Sequence, residues 1–297
     1  MSDLRRTHTC GALRAEDIDR DVVLLGWAAS VRDHGGCVFV NLRDRFGITQ
    51  VKADQAVSPA VFEAASAVKP ESVLRIAGKV VSRGANANPN MPTGAIEVEA
   101  TEVEVLNLSK PVPFPIQDTI DVSEVTRLTY RYLDLRRPSV QRNLVLRSRV
   151  TSLVRRHLDD NGFLEIETPI LGKSTPEGAR DFLVPSRVHP GEFFALPQSP
   201  QTFKQILMVS GFDRYYQIAR WFRDEDLRAD RQPEFTQIDI EVSFAYPELI
   251  YDLMEGMIAA VWKDVHGVDL ALPFRRMPYA EAIETYGSDK PDLRFGL

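Results

Sequence analysis

Short apolar segments with a two-residue period dominate residues 22–105, and turn signals separate them. This alternation predicts β-strands that each bury one face. Phe39 departs from the pattern, because it is an aromatic side chain on the polar face of its strand. After Ala100 the apolar positions shift by one residue, as a β-bulge would produce. Together with a helix-like stretch at 59–68, the pattern predicts a small β-barrel of five strands with an inserted helix.

The pattern changes after residue 106. Three prolines exclude regular helix or strand over residues 108–121, so a stiff linker is predicted there. From Ser139 to Asn161 apolar residues recur at helical spacing, and Gly162 supplies the stop. Five strands with an inserted helix match an oligonucleotide-binding (OB) barrel, and the fold class is α+β. The expected division is a first domain at 1–106, a hinge at 107–138 and a second domain at 139–297.

Polar side chains gather on one face of a predicted hairpin between residues 215 and 243, which turns at 227–233. An antiparallel sheet often has one ordinary solvent-facing side, but an exposed Phe235 disfavours that alternative here. An arginine fork can grip a phosphate, an aromatic ring can stack on a nucleobase, and carboxylates can hold an ammonium group. This face, which we call the floor, therefore suits ATP. It comprises Gln217, Arg223, Glu225, Phe235, Gln237, Asp239, Glu241 and Ser243, beside Ala219 and Trp221.

A second polar cluster lies at residues 198–204. Ser199 is a good helix N-cap and Pro200 suits the first helical position, so Gln201 and Lys204 would share one helix face. The alternative is a surface amide and a surface lysine, which is the commoner place for such a pair.

Composition narrows the possible classes. The sequence has no apolar run long enough to span a bilayer, its first ten residues lack the apolar core of a signal peptide, and its two cysteines form no Cys-x-x-Cys pair. These features favour a globular protein in the cytoplasm. The five histidines have no ligand spacing, so no metal site is predicted.

The net charge of -6 argues against a surface that attracts nucleic acid everywhere. Residues 127–156, however, carry nine arginines and one acidic residue, Asp134. This stretch is either a phosphate-binding track or a solvated, ion-paired face. Glycine-rich phosphate loops and the hydrolase motif Gly-x-Ser-x-Gly are absent from the sequence.

Several segments together resemble the class II aminoacyl-tRNA synthetases, in the form found in bacterial aspartyl enzymes. Residues 222–239 (FRDEDLRADRQPEFTQID) resemble motif 2, and residues 161–169 (NGFLEIETP) resemble motif 1. Lysyl and asparaginyl relatives share the architecture but not this combination. Three further segments resemble aspartyl signatures: 130–138 (YRYLDLRRP), 175–181 (TPEGARD) and 196–204 (LPQSPQTFK).

The resemblance implies an OB barrel that binds the tRNA anticodon, followed by a class II antiparallel sheet flanked by helices. It also implies activation of L-aspartate with ATP and Mg²⁺, and then transfer to tRNA(Asp). Arg223 is the expected catalytic residue, and a buried Lys204 would reject asparagine because the neutral amide leaves its charge unpaired. The implied ATP contacts are Arg223, Glu225, Gln232 and Phe235. The implied aspartate contacts are Glu177, Ser199, Gln201, Lys204, Arg223 and Asp239.

The same resemblance implies partners for other parts of the chain. Residues 127–137 would face tRNA at the hinge, and 226–232 would lie near its acceptor end. Pro169 would lie at a homodimer interface. The expected anticodon contacts are Arg32, His34, Phe39, Gln50 and Glu97.

The sequence departs from the family at three places. Phe46 occupies a turn position where glutamate is common, and the pattern offers no role for it. The presence of His34 and the absence of lysine near Gly84 resemble the sequence pattern of the subtype that charges both tRNA(Asp) and tRNA(Asn). The chain also ends before motif 3, so we expect this chain alone to be inactive. The alternative is a tRNA-binding paralogue or fragment without activity.

Overall fold

The structure is a computed structural model that describes residues 4–174, 180–226 and 231–294. These residues form two compact units, which divide between Asn143 and Leu144. Among the described residues, none of the helices combines the length and the apolar character that a transmembrane segment requires.

The first unit contains a closed barrel with strand order β1-β2-β3-β5-β4. The predicted barrel of five strands with an inserted helix is confirmed. Its strands are β1 (Asp21–Asp33), β2 (Cys37–Asp44), β3 (Gly47–Asp54), β4 (Val73–Ser82) and β5 (Ile96–Asn107), with α1 (Pro59–Ser66) between β3 and β4.

Alternation along the strands explains this fold. In β2 every second residue is buried, and Phe39 lies on the opposite, partly exposed face, as predicted. The predicted bulge is also present, because Ala77 pairs with Glu102 whereas Gly78 pairs with Ala100, which leaves Thr101 as the extra residue. Gly78 is required at this point, since a Cβ there would lie 2.3 Å from the carbonyl oxygen of Glu99.

The segment after the barrel packs against it. Residues 108–123 form neither helix nor strand, and α2 (Glu124–Thr129) and α3 (Arg131–Asp134) follow. The Ser109 hydroxyl donates to the carbonyl of Pro70 at 2.5 Å, and Arg136 donates to Glu71 at 2.7 Å. These contacts explain why the compact unit extends to Asn143. The predicted boundaries at 106 and 138 stay a prediction.

The long helix α4 (Pro138–Asp160) ends as predicted near Gly162, which has a φ of 76°. In the second unit, β6 (Leu164–Glu165), β9 (Arg214–Phe222) and β10 (Glu234–Val242) form a sheet of order β10-β9-β6. β9 and β10 are antiparallel, whereas the short β6 runs parallel to β9. The remaining elements are β7 (Phe182–Pro185), β8 (Phe193–Leu196), α5 (Gln201–Val209), α6 (Pro247–His266) and α7 (Tyr279–Tyr286).

One face of this sheet forms the core of the second unit. Side chains of α4 and α6 pack on the apolar face of β9 and β10, with Leu158 and Tyr216 almost fully buried. The opposite face carries the polar residues of the floor. The predicted α+β class, with a barrel followed by a synthetase-type sheet and helices, is confirmed.

Ion pairs account for five of the nine arginines between residues 127 and 156. Arg131 and Arg137 both bind Asp134, which is fully buried. For these arginines the structure favours the ion-paired interpretation over a phosphate track. The other three pairs are Arg136 with Glu71, Arg149 with Asp264 and Arg155 with Glu165.

Candidate active site and nucleic-acid interface

The register of β9 and β10 brings the predicted floor residues that lie within these two strands onto one face. Phe235 lies opposite Trp221, and Asp239 lies opposite Gln217. Directly opposite residues share a face in an antiparallel pair, so the alternation found in the sequence is confirmed. Trp221 is fully buried on this face, and its indole Nε1 makes no hydrogen bond to any described residue.

One end of the floor opens into a cavity of about 270 Å³. The Arg223 guanidinium lies 5.1 Å from the centre of the Phe235 ring, and its Nε is buried without a hydrogen bond to a described residue. An aromatic face beside a guanidinium with one unsatisfied nitrogen fits a nucleobase next to a phosphate. All four predicted ATP contacts line this cavity: Arg223, Glu225, Gln232 and Phe235, together with Asp226, Arg231 and Pro233.

The other end of the floor holds a buried charge cluster. Lys204 Nζ lies 2.9 Å from Asp239 Oδ1 and 3.3 Å from Glu241 Oε2. Burial lowers the pKa of Lys204, but its bonds to the two carboxylates outweigh burial and raise that pKa. Burial raises the pKa of Asp239, and the hydrogen bond from Lys204 opposes this rise. Asp239 Oδ2 is buried without a hydrogen bond to a described residue, so it can accept one from a ligand.

The start of α5 corrects one prediction. We expected Ser199 as the N-cap and Pro200 at the first helical position, but the helix begins at Gln201 with Pro200 at the N-cap. The reason is that the Pro200 carbonyl accepts the first helical hydrogen bond, from Lys204 N at 2.9 Å. Gln201 and Lys204 still share the more buried face of α5, while Ser199, half-buried, precedes the helix.

Sequence reasoning missed two residues that support the floor. The hydroxyls of Thr168 and Tyr215 both donate to Gln217 Oε1, each at 2.9 Å. Burial, and then the charge of Asp239, raise the pKa of Tyr215, so its hydroxyl stays protonated. Tyr215 lies two residues before Gln217 in β9, so the alternation could have found it, whereas Thr168 comes from a distant segment.

Two predicted residues stay without a structural test. Glu177 lies outside the described residues. Pro169 is exposed, and its place at a dimer interface stays a prediction.

In the first unit, all five predicted anticodon contacts line a cavity of about 620 Å³. The His34 and Phe39 rings meet edge to face, with centres 5.6 Å apart. Arg32 donates to Gln50 Oε1 at 3.0 Å, and Gln50 donates to Glu97 Oε2 at 2.7 Å. A partly exposed ring beside such a polar chain can stack on a base and contact its edge.

Lys52, Arg83 and Asn86 also line this cavity and were missed. Lys52 lies two residues after Gln50 on the same strand face, so alternation could have found it. Arg83 lies 3.9 Å from Glu97, and two of its nitrogens are buried without a hydrogen bond to a described residue. Its approach to Glu97 depends on the register between β4 and β5.

Phe46, for which the sequence offered no role, is 53% exposed at the turn between β2 and β3. The guanidinium carbons of Arg45 and Arg6 lie 4.6 and 5.6 Å from its ring centre. Cation–π contacts of this kind offset part of the free-energy cost of exposing the ring to water.

Two family models identify the class of protein to which this barrel and this sheet belong, the class II aminoacyl-tRNA synthetases. The model of an OB-fold nucleic acid binding domain matches residues 22–106. The model of class II tRNA synthetases (D, K and N) matches residues 123–297. The chain belongs to this class II family, and the resemblance found in the sequence is confirmed.

Curated relatives carry the name aspartate–tRNA(Asp/Asn) ligase. The protein of Caldanaerobacter subterraneus is 60% identical over 298 residues, which cover 100% of this chain and 50% of the relative. The protein of Anaeromyxobacter dehalogenans is 54% identical and is covered to 49% of its length, with 100% of this chain. The chain thus spans about half of the length of these relatives.

Solved structures give the same fold. Asparaginyl-tRNA synthetase from Pyrococcus horikoshii, complexed with asparaginyl-adenylate, matches with a TM-score of 0.79 and 22% identity, over 97% of this chain and 69% of that one. The Entamoeba histolytica asparaginyl-tRNA synthetase, also with asparaginyl-adenylate, gives a TM-score of 0.74 and 26% identity, over 90% and 62%.

Proposed function

We propose that this chain is part of an aspartate–tRNA ligase, which activates L-aspartate with ATP and transfers it to tRNA(Asp) and tRNA(Asn). The observation that carries the proposal is the floor of β9 and β10. It holds a guanidinium and a phenyl ring at one end and a buried lysine between two carboxylates at the other. The names of the relatives support aspartate as the amino acid and both tRNAs as acceptors.

ATP is proposed to occupy the cavity beside Arg223. The adenine ring stacks on Phe235, and the Arg223 fork binds the α-phosphate, which satisfies its buried Nε. Magnesium would accompany ATP and neutralise phosphate charge. Glu225, whose side chain lines the cavity, would hold it through its carboxylate.

Aspartate is proposed to bind next to ATP through the Lys204 cluster. Its ammonium group binds Asp239, which has an unsatisfied buried oxygen, and its side-chain carboxylate binds Lys204. Asparagine would offer Lys204 a neutral amide instead of a carboxylate and would lose this charge-assisted contact, so the cluster provides the discrimination. Ser199, Gln201 and Glu177 complete the aspartate contacts in this proposal.

The reaction then needs positioning and charge stabilisation rather than a covalent enzyme intermediate. The α-carboxylate of aspartate attacks the α-phosphorus of ATP, which yields aspartyl-adenylate and releases pyrophosphate. Arg223 stabilises the negative charge that develops on the α-phosphate oxygens. A terminal tRNA hydroxyl then attacks the acyl carbon and AMP leaves.

The cavity of the first unit is proposed to bind the anticodon. Phe39 stacks on a base, Gln50 and Glu97 contact base edges, and Arg32 and His34 complete the surface. We further propose that the complete enzyme is a cytoplasmic homodimer, with Pro169 at the subunit interface.

Aspartate-dependent exchange of pyrophosphate into ATP tests the proposal. It would be measured on this chain and on the chain extended to the full length of its relatives. We expect exchange in the extended chain and its abolition by Arg223→Ala. Arg275→Ala, which removes an exposed arginine paired with Glu281, is the matched control and should retain exchange. Absence of exchange in the extended wild type would favour a tRNA-binding paralogue, and retained exchange in Arg223→Ala would refute the role of Arg223.

A further inference from the structure

Residues 180 and 181 contact both ends of the candidate active site. Asp181, which directly precedes β7, accepts hydrogen bonds through both carboxylate oxygens. Gln198 Nε2 donates to Oδ1 at 2.6 Å, and the Ser174 hydroxyl donates to Oδ2 at 2.7 Å. These contacts join three segments that are separate in sequence.

Gln198 connects Asp181 to the aspartate end of the floor. Its side chain is almost fully buried, and it is the first residue of the cluster 198–204 that contains Gln201 and Lys204. A buried amide needs hydrogen-bond partners, and a carboxylate acceptor gives a stronger bond than a neutral one. Asp181 therefore holds the side chain of Gln198, the first residue of this cluster, in position.

Arg180, the residue before Asp181, contacts the ATP end of the floor. Its main-chain carbonyl accepts a hydrogen bond from Asp224 N at 2.9 Å, in an isolated antiparallel bridge. Asp224 lies between Arg223 and Glu225, so this bridge holds the ATP-binding end of β9. Phe222 N also donates to the Pro197 carbonyl at 3.2 Å, next to Gln198.

We propose that Asp181 is a positioning residue of this site. Its carboxylate holds Gln198 while the adjoining Arg180 main chain holds Asp224, so the dipeptide fixes the aspartate-binding cluster relative to the ATP-binding residues. The inference rests on the proposed function, and it assigns Asp181 no contact with either substrate. The side chain acts on the aspartate end, because the contact to the ATP end is made by the main chain.

The proposal predicts different effects on the KM for aspartate and on the KM for ATP. Asp181→Ala removes the bond to Gln198 but leaves the Arg180–Asp224 bridge, so the KM for aspartate should rise about tenfold or more while the KM for ATP stays nearly unchanged. In Asp181→Asn the amide oxygen still accepts from Gln198 and the amide nitrogen can donate to Ser174, so most of the aspartate affinity should return. Ser174→Ala removes one contact without touching a buried residue and should raise the KM for aspartate only a few-fold.

These constants would be measured by pyrophosphate exchange in the extended chain, with Asp269→Ala as control, since Asp269 is exposed and paired with Lys263. Equal rises of both KM values in Asp181→Ala, or no rise, would overturn the inference. An Asp181→Asn variant as impaired as Asp181→Ala would also overturn it, because the contacts rather than the charge are held responsible. If Asp181→Ala does not fold, the KM values for aspartate of Asp181→Asn and Ser174→Ala test the proposal instead. Absence of exchange in the wild type would contradict the proposed function instead.

Discussion

Replacing Lys204 by methionine tests the buried charge cluster without any substrate. The change keeps the length of the side chain and removes its charge. Lys204 and Asp239 are each less than a tenth exposed, and the ion pair between them is 2.9 Å long. The variant would leave Asp239 and Glu241 close together without the cation that binds both.

The expected loss follows from the burial of these groups. Removing one partner of a buried ion pair costs about 3–5 kcal/mol, because the remaining charge stays desolvated. The Glu241 side chain is 27% exposed and can be hydrated, so the lower end of the range applies. We expect Lys204→Met to lower the free energy of unfolding of the second unit by about 3 kcal/mol at about pH 7.5.

The loss should depend on pH with a defined sign. Burial already raises the pKa of Asp239 in the folded state, and Lys204→Met removes the hydrogen bond that opposes this rise. A carboxylate whose folded pKa is raised destabilises the fold as the pH rises through that pKa, because the folded state holds the proton more tightly. The wild-type Lys204 has a raised pKa, so its contribution is fully present below 10.5. The difference between the proteins should therefore shrink as the pH is lowered from about 7.5 to about 5.

Urea unfolding, followed by tryptophan fluorescence, measures this difference. In a Trp27→Phe background, Trp221 and Trp262 report on the second unit alone. Lys263→Met is the matched control, because Lys263 and its partner Asp269 are both largely exposed, and its stability should equal that of the wild type. A loss of less than about 1 kcal/mol in Lys204→Met, or a loss that does not shrink at low pH, would refute the reasoning.

Three further predictions concern single contacts. Phe39→Ala should weaken tRNA binding by about 1–3 kcal/mol in a titration, whereas Phe46→Ala, at the other end of the same hairpin, should leave the dissociation constant unchanged. Gly78→Ala should lower the stability of the first unit by about 1–3 kcal/mol, measured by urea unfolding, because the new Cβ meets the Glu99 carbonyl oxygen. Tyr215→Phe removes one of two donors to Gln217 and should cost the second unit about 1 kcal/mol in the same assay; an unchanged midpoint would contradict the contact.

The sequence predicts a large share of the fold because its strands bury one face each. The period of two in β2 and β10 determines which side chains lie together, and a shift by one residue would have placed every apolar group on the wrong face. The register of β9 and β10 therefore agrees with the predicted floor. The bulge at Thr101 was predictable for the same reason, since the apolar positions change parity there and Val103, beyond it, still packs against the barrel core.

Contacts between distant segments could not be predicted in this way. Gln50 and Glu97 lie 47 residues apart, and their bond depends on how the barrel closes. The start of α5 was placed one residue early, because Ser199 has good N-cap chemistry but the helical hydrogen bonds begin at the Pro200 carbonyl. Local propensity describes what a residue prefers, whereas the backbone hydrogen bonds of the folded unit decide which residue takes the position.

The buried polar atoms that lack partners connect the fold to its proposed chemistry. An unsatisfied buried donor or acceptor usually costs about 1–3 kcal/mol, so such atoms are rare in stable proteins. Among the described residues, Arg223 Nε and Asp239 Oδ2 are two of them, and they lie at opposite ends of one floor. Arg83, which lines the cavity of the barrel, also has two buried nitrogens without a hydrogen bond to a described residue. Phosphate, ammonium and base-edge groups are the partners that would satisfy these atoms, so the same positions that weaken each unit alone are those where ATP, aspartate and tRNA would stabilise it.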